Sequence, residues 1–163
     1  MTPAGKGHPN SLHPSGFPAD FRDFIRELNA YRVEFLLVGG YAVGYYGHVR
    51  ATADIDFLYR CTKRNIGRLI HALAAFGAPS VVMDPIHLAN PNGMSAFGEP
   101  PHRIDLLAGI SGVSFDEALV QAAVLDLDGD ALPIIGLEAL RRNKQASGRR
   151  KDRDDLERLS SGG

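Results

Sequence analysis

Asp54-Ile55-Asp56-Phe57 carries the residue types and spacing best suited to chemistry in this chain. Acidic and apolar residues alternate there with the period of a β-strand, so the two carboxylates project from one face. Oxygen ligands grouped in this way suit hard divalent cations such as Mg²⁺ or Mn²⁺. A later acid enclosed by apolar neighbours, Asp105 in Arg103-Ile104-Asp105-Leu106-Leu107, could complete the set from an adjacent strand. Two cations about 4 Å apart can clamp the attacking and leaving oxygens of an in-line displacement.

A second feature lies just upstream. Gly39-Gly40 closes the apolar run Val33 to Val38. Glycines let backbone approach phosphate oxygens closely, and a helix that follows offers unpaired N–H groups and the positive end of its dipole. Strand, glycines, helix and a strand bearing Asp-x-Asp therefore form an arrangement suited to a nucleoside triphosphate such as ATP.

Several elements must position these residues. Phe21, Phe24, Ile25, Leu28 and Tyr31 recur at helical spacing, which predicts a helix from Pro18 to about Tyr31. Val33 to Val38 reads as a buried strand ending in a tight turn at the glycine pair, and Tyr41 to Tyr46 as a short helix stopped by Gly47. Thr62 can cap a helix whose inner face is Ile66, Leu69, Ile70, Leu73 and Phe76, with Gly77 as its stop. Short apolar pieces at Ser80 to Met83 and Ile86 to Ala89 suggest a strand or two, followed by a Pro/Gly-rich mobile loop to Pro101. His102 to Leu107 is a further strand. A hairpin turns at Gly129, and two helices, at about 137 to 146 and 151 to 159, close the chain. No internal repeat is present.

Composition sets wider bounds. The chain has 163 residues, 44% of them hydrophobic and 23% charged, with a net charge of −1. One compact domain of this length buries roughly 70% of its unfolded surface, so neither disulfides nor a structural metal are needed. Residues 1–16, rich in Gly, Pro, Ser and His, read as a disordered tail, and 17–160 as a single domain. The lone Cys61 allows no internal disulfide, and neither a membrane span nor a secretion signal is evident, which points to a cytoplasmic protein.

At the glycine and aspartate motifs the sequence resembles the nucleotidyltransferase superfamily. Its pattern is an apolar residue, two small residues, a spacer of around a dozen, then Asp, apolar, Asp. Here that is Val38-Gly39-Gly40, residues 41–53 and Asp54-Ile55-Asp56-Phe57. The resemblance is strongest to small bacterial nucleotidyltransferases of the abortive-infection and toxin–antitoxin type. Their pattern includes an arginine and a threonine before the acids, here Arg50 and Thr52, and a late Ser147-Gly148-Arg149 with Lys151-Asp152. It spans about residues 20 to 159. It implies an α/β (α+β) fold with a mixed central sheet flanked by helices. It also implies transfer of a nucleoside monophosphate from a nucleoside triphosphate to a tRNA or protein acceptor, and regulation by a cognate antitoxin. Asp54, Asp56 and Asp105 are then the catalytic and metal-binding residues. Gly39, Gly40, Arg50, Thr52, Lys144, Arg149 and Lys151 are the nucleotide-binding set.

Simpler explanations compete at each feature. A lone Gly-Gly is most often a turn, and Asp126-Leu127-Asp128-Gly129-Asp130 shows that acidic alternation also arises at a solvated hairpin tip. Arg141 to Arg153 carries seven basic residues, which could be a solvated helical face or could reach phosphate through Lys144, Arg149 or Lys151. Tyr41, Tyr45 and Tyr46 could flank a base or fill the core, and His48 and His102 form no ligand pattern. Two further functions fit the same residues: an antibiotic-modifying nucleotidyltransferase, or a domain that binds nucleotide or a partner without transferring anything.

Overall fold

The structure, a computed structural model, describes residues 16–47, 52 and 54–161. The expected tail, apart from Gly16, and the residues His48 and Arg50 lie outside the described residues.

The first helix, α1 (Ala19–Ala30), buries Phe21, Phe24, Ile25 and Leu28, a stripe at i, i+3, i+4 and i+7. The chain then enters β1 (Phe35–Val38), whose four residues are all buried. α2 (Gly39–Tyr45) follows without a separate turn, because Gly39 at φ +70° redirects the backbone by itself. The helix expected from Tyr41 thus starts two residues earlier. β2 (Asp54–Tyr59) leads to α3 (Lys63–Phe76), where Thr62 Oγ accepts from the Asn65 amide and Gly77, at φ +92°, ends the helix.

Strand expectations at 80–83 and 86–89 are not met. Ser80–Met83 is a 3₁₀ turn, and Pro85–Leu88 is a one-turn helix, α4. Pro85 at the first helical position and Asp84, whose side chain accepts from the Ile86 amide, favour a helical start over an extended chain. The strand of this region comes later, as β3 (Met94–Phe97), and it pairs with β4 (Arg103–Leu107). A short helix that periodicity did not reveal, α5 (Phe115–Leu119), is nucleated by a reciprocal cap. Ser114 Oγ accepts from the Glu117 amide, and the Glu117 carboxylate accepts from the Ser114 amide.

β5 (Ala123–Leu127) and β6 (Asp130–Ile134) form the expected hairpin, with Asp128 and Gly129 both at positive φ in its two-residue turn. Its acidic tip is not merely solvated: Arg22 pairs with Asp128, and Arg26 with Asp130 at 3.1 Å. α6 (Leu137–Ser147) and α7 (Arg150–Ser161) complete the chain.

The six strands form one mixed sheet in the order β3-β4-β2-β1-β6-β5. β2 runs antiparallel to β1 and parallel to β4, placing Asp56 beside Asp105 and Asp54 beside Arg103. Ile55, Phe57, Ile104 and Leu106 point the other way and are buried. There Phe57 meets Phe24 of α1 at 5.7 Å between ring centroids. One face of the two central strands is therefore core, and the opposite face carries the acids. No helix of the described residues is long and apolar enough to cross a membrane.

Candidate active site

Strand register alone brings the acids together. Asp54, Asp56 and Asp105 each offer a carboxylate oxygen, and the three oxygens lie within 4.8 Å of one another. Asp105 is buried, whereas Asp54 and Asp56 are half-buried. Burial pushes the Asp56 carboxyl up to about 7, helped by a hydrogen bond to Asp105 and by the charges of Asp54 and Asp105; Lys151 opposes the rise. Burial also raises Asp105, against the hydrogen bond from Arg103 Nε, which donates to Asp105 Oδ1 at 2.8 Å. Three clustered carboxylates, two of them raised, offer hard oxygen donors that fit a divalent cation such as Mg²⁺ or Mn²⁺.

Gly39 packs directly on this cluster. A β-carbon at that position would lie 2.0 Å from Asp56 Oδ2, so only glycine admits the carboxylate here. Beside the pair opens a cavity of about 540 Å³, lined by Gly39, Asp56, Asn143, Lys144, Ser147 and Arg149 among others. That is a volume typical of small-ligand sites.

The residues expected to bind nucleotide are placed unequally. Gly39 and Arg149 line the cavity; Gly40, the next residue of α2, does not. Thr52 supports an acid instead, its Oγ1 donating to the Asp54 carbonyl at 3.0 Å. Lys144 borders the cavity, yet its ammonium is buried in ion pairs with Asp152 at 3.2 Å and Asp155 at 3.1 Å. Lys151 is exposed and near enough to Asp56 to influence it electrostatically. Arg50 lies outside the described residues. The tyrosines belong to packing: Tyr41 stacks on Phe17 at 5.5 Å, Tyr45 packs edge-on against Tyr46, and the Tyr46 hydroxyl donates to the Ile135 carbonyl. His102 pairs with Asp20 at 3.3 Å.

The overall fold is similar to that of solved nucleotidyltransferase structures. One is an antigenic nucleotidyltransferase-like protein from Paracoccidioides brasiliensis, with a TM-score of 0.51 and 15% identity over 88% of this chain and 74% of that one. The chain has the nucleotidyltransferase fold. A second protein with this fold, ANT(2")-Ia in complex with adenylyl-2"-tobramycin, gives a TM-score of 0.50 and 13% identity over 88% of this chain and 87% of that one. No protein-family model and no curated protein matches the sequence.

Around the acids of this nucleotidyltransferase fold stand residues to which sequence reasoning gave no role: Arg103 on Asp105, Asn143 in the cavity wall, and Asp155 beneath Lys144; Ser147, part of the late motif, also lines the cavity. Asp152 and Asp155, three apart on one helix, share a face. That shared face was readable, but its burial against Lys144 was not.

Proposed function

We propose that the chain is a divalent-cation-dependent nucleotidyltransferase that moves a nucleoside monophosphate from a nucleoside triphosphate to an acceptor hydroxyl. The observation that carries this reading is the convergence of the Asp54, Asp56 and Asp105 oxygens beside Gly39, in a cavity with Arg149 on its wall. The acceptor oxygen bonds to the α-phosphorus, the bond from that phosphorus to the bridging oxygen breaks, and pyrophosphate leaves with the electron pair. Asp105 takes the hydroxyl proton, its carboxylate steadied by the hydrogen bond that Arg103 Nε donates to Oδ1. Asp54, Asp56 and Asp105 would hold the cation, which offsets the charge that develops on the phosphate oxygens when bound. Gly39 admits the phosphates, while Arg149 and Lys151 supply positive charge.

The acceptor we favour is RNA such as a tRNA end, because Arg150, Lys151 and Arg153 are exposed on the turns of α7 that follow Arg149. A protein acceptor and a role as a toxin with a cognate antitoxin are compatible with the same chemistry. A small antibiotic acceptor is the second reading, favoured by the near-complete overlap of this chain with ANT(2")-Ia. Incubating the full chain with each α-³²P-labelled triphosphate, Mg²⁺ and, separately, total RNA, cell protein or aminoglycosides tests the proposal. Label on one acceptor class, lost with Asp56→Asn, is the expected result. Label on none of them with any triphosphate overturns it.

A further inference from the structure

Among the described residues, Lys144, Arg149, Asp152, Asp155 and the Ser147 hydroxyl meet where α6 and α7 join. Lys144 is buried between Asp152 and Asp155, which are themselves buried. Asp152 also accepts from Ser147 Oγ at 2.6 Å and from Arg149, whose Nε lies 2.7 Å from Oδ2 and whose Nη2 lies 3.4 Å from Oδ1. Burial raises the Asp152 carboxyl, but the hydrogen bonds from Arg149, Ser147 and Lys144 outweigh it and hold that carboxyl well below the usual range. Lys144 and Arg149 thus offset the charge that Asp152 brings into the joint.

Its outer member behaves differently. The Arg149 side chain is 64% exposed and lines the same cavity as Gly39 and Asp56. An exposed arginine ordinarily samples many rotamers and loses that side-chain freedom when a ligand fixes it. Here Asp152 bonds one edge of the guanidinium, so the fork is already oriented and its remaining N–H groups stay available to an anion. Lys144, in contrast, spends its ammonium on two carboxylates inside the joint.

We infer that Asp152, anchored by buried Lys144, is a positioning residue that holds Arg149 in the cleft facing Gly39 as the arm receiving the β- and γ-phosphates. The inference rests on the proposed function and deepens it. Arg149 makes the phosphate contact, Asp152 aims it, and Lys144 is a strut that does not touch nucleotide.

Binding of the four α,β-methylene nucleoside triphosphates and their monophosphates to the full chain with Mg²⁺, followed by calorimetry, tests it. Arg149→Ala should weaken the preferred triphosphate about 10- to 100-fold and leave its monophosphate unchanged. Asp152→Asn should give the same pattern, and the double variant should be no weaker than Arg149→Ala alone, since both remove one device. Arg149→Lys should recover only part of the loss, having charge but no fork. Should Asp152→Asn fail to fold in a thermal melt, Ser147→Ala, which removes the shortest hydrogen bond to Asp152, carries the test with the same selective loss. Wild-type triphosphate affinity in Arg149→Ala or Asp152→Asn, losses that multiply in the double variant, or equal loss of triphosphate and monophosphate in the variant tested overturns the inference. A wild-type chain that binds no triphosphate overturns the proposed function itself.

Discussion

Gly39 and Asp56 occupy each other's space: a β-carbon on the glycine would sit 2.0 Å from the aspartate Oδ2 and 2.9 Å from its Cγ. Val38, the preceding residue, is the register partner of Asp56 across the antiparallel β1–β2 pair, so strand pairing enforces the approach. The glycine's positive φ and the acid's location are therefore one structural decision.

Gly39→Ala should cost about 1–3 kcal/mol, from the left-handed backbone alone, and should displace the Asp56 carboxylate as well. Chemical denaturation reads the first effect, and Mn²⁺ binding followed by paramagnetic resonance reads the second. A variant with wild-type Mn²⁺ affinity would show that Asp56 does not depend on this contact.

Asp56→Asn should abolish transfer yet stabilise the cation-free protein. The carboxyl is raised from an ordinary value near 4 to about 7, by burial first and then by Asp105 and Asp54. The folded state therefore keeps a proton that the unfolded chain releases, and stability falls as pH rises from about 4 to about 7. Without that carboxyl the loss should be smaller, by on the order of 1–2 kcal/mol after solvent screening. Urea melts at pH 4 and pH 8 with chelator present measure it, and an identical pH slope in wild type and variant contradicts the assignment.

Much of this arrangement was legible in the sequence because local rules and tertiary packing agree. Asp54 and Asp56 alternate with core residues, and Thr62 and Gly77 bound α3 with standard caps. Where the two conflict, the reading failed. Val81 and Ile86 look like strand residues but are 77% and 83% exposed, Val81 in the 3₁₀ turn that follows Pro79 and Ile86 in the helical turn begun by Asp84 and Pro85. The Ser114/Glu117 box was readable but spans too few residues to show a helical period. Lys144 illustrates a deeper limit, since composition records its charge and only the joint of α6 with α7 reveals that the charge is already matched.

Lys144→Met should destabilise the protein by about 3–5 kcal/mol, because it leaves Asp152 and Asp155 buried without their shared cation. Lys144→Met with Asp155→Leu should recover part of the loss, since one carboxylate fewer then stays buried where the ammonium was removed. Guanidinium melts of both variants check this, and a loss below about 1 kcal/mol would mean that water reaches the joint.

Ser114→Ala should cost about 1 kcal/mol by removing one half of the reciprocal cap, and should leave nucleotide binding unchanged, as α5 does not line the cavity. Thermal melts and triphosphate titrations of the same preparation separate the two effects. Weakened triphosphate binding would mean that α5 is coupled to the cleft.

The exposed cations of α7 separate an RNA acceptor from a small one. Arg150, Lys151 and Arg153 are exposed, whereas Arg142 pairs with Glu117, Arg141 with Glu138, and Lys144 with its two aspartates. Counterion release makes RNA affinity fall with salt in proportion to the phosphates contacted, at about 0.7 per contact on a log–log scale for single strands. Arg150→Ala with Arg153→Ala should therefore weaken tRNA binding and lower that slope by about 1.4, while sparing triphosphate affinity, because neither side chain lines the cavity. Lys151 is left intact because its charge acts on Asp56. Filter binding at several salt concentrations gives the slope, and an unchanged slope alongside label transfer to an aminoglycoside would move the acceptor assignment from RNA to a small molecule.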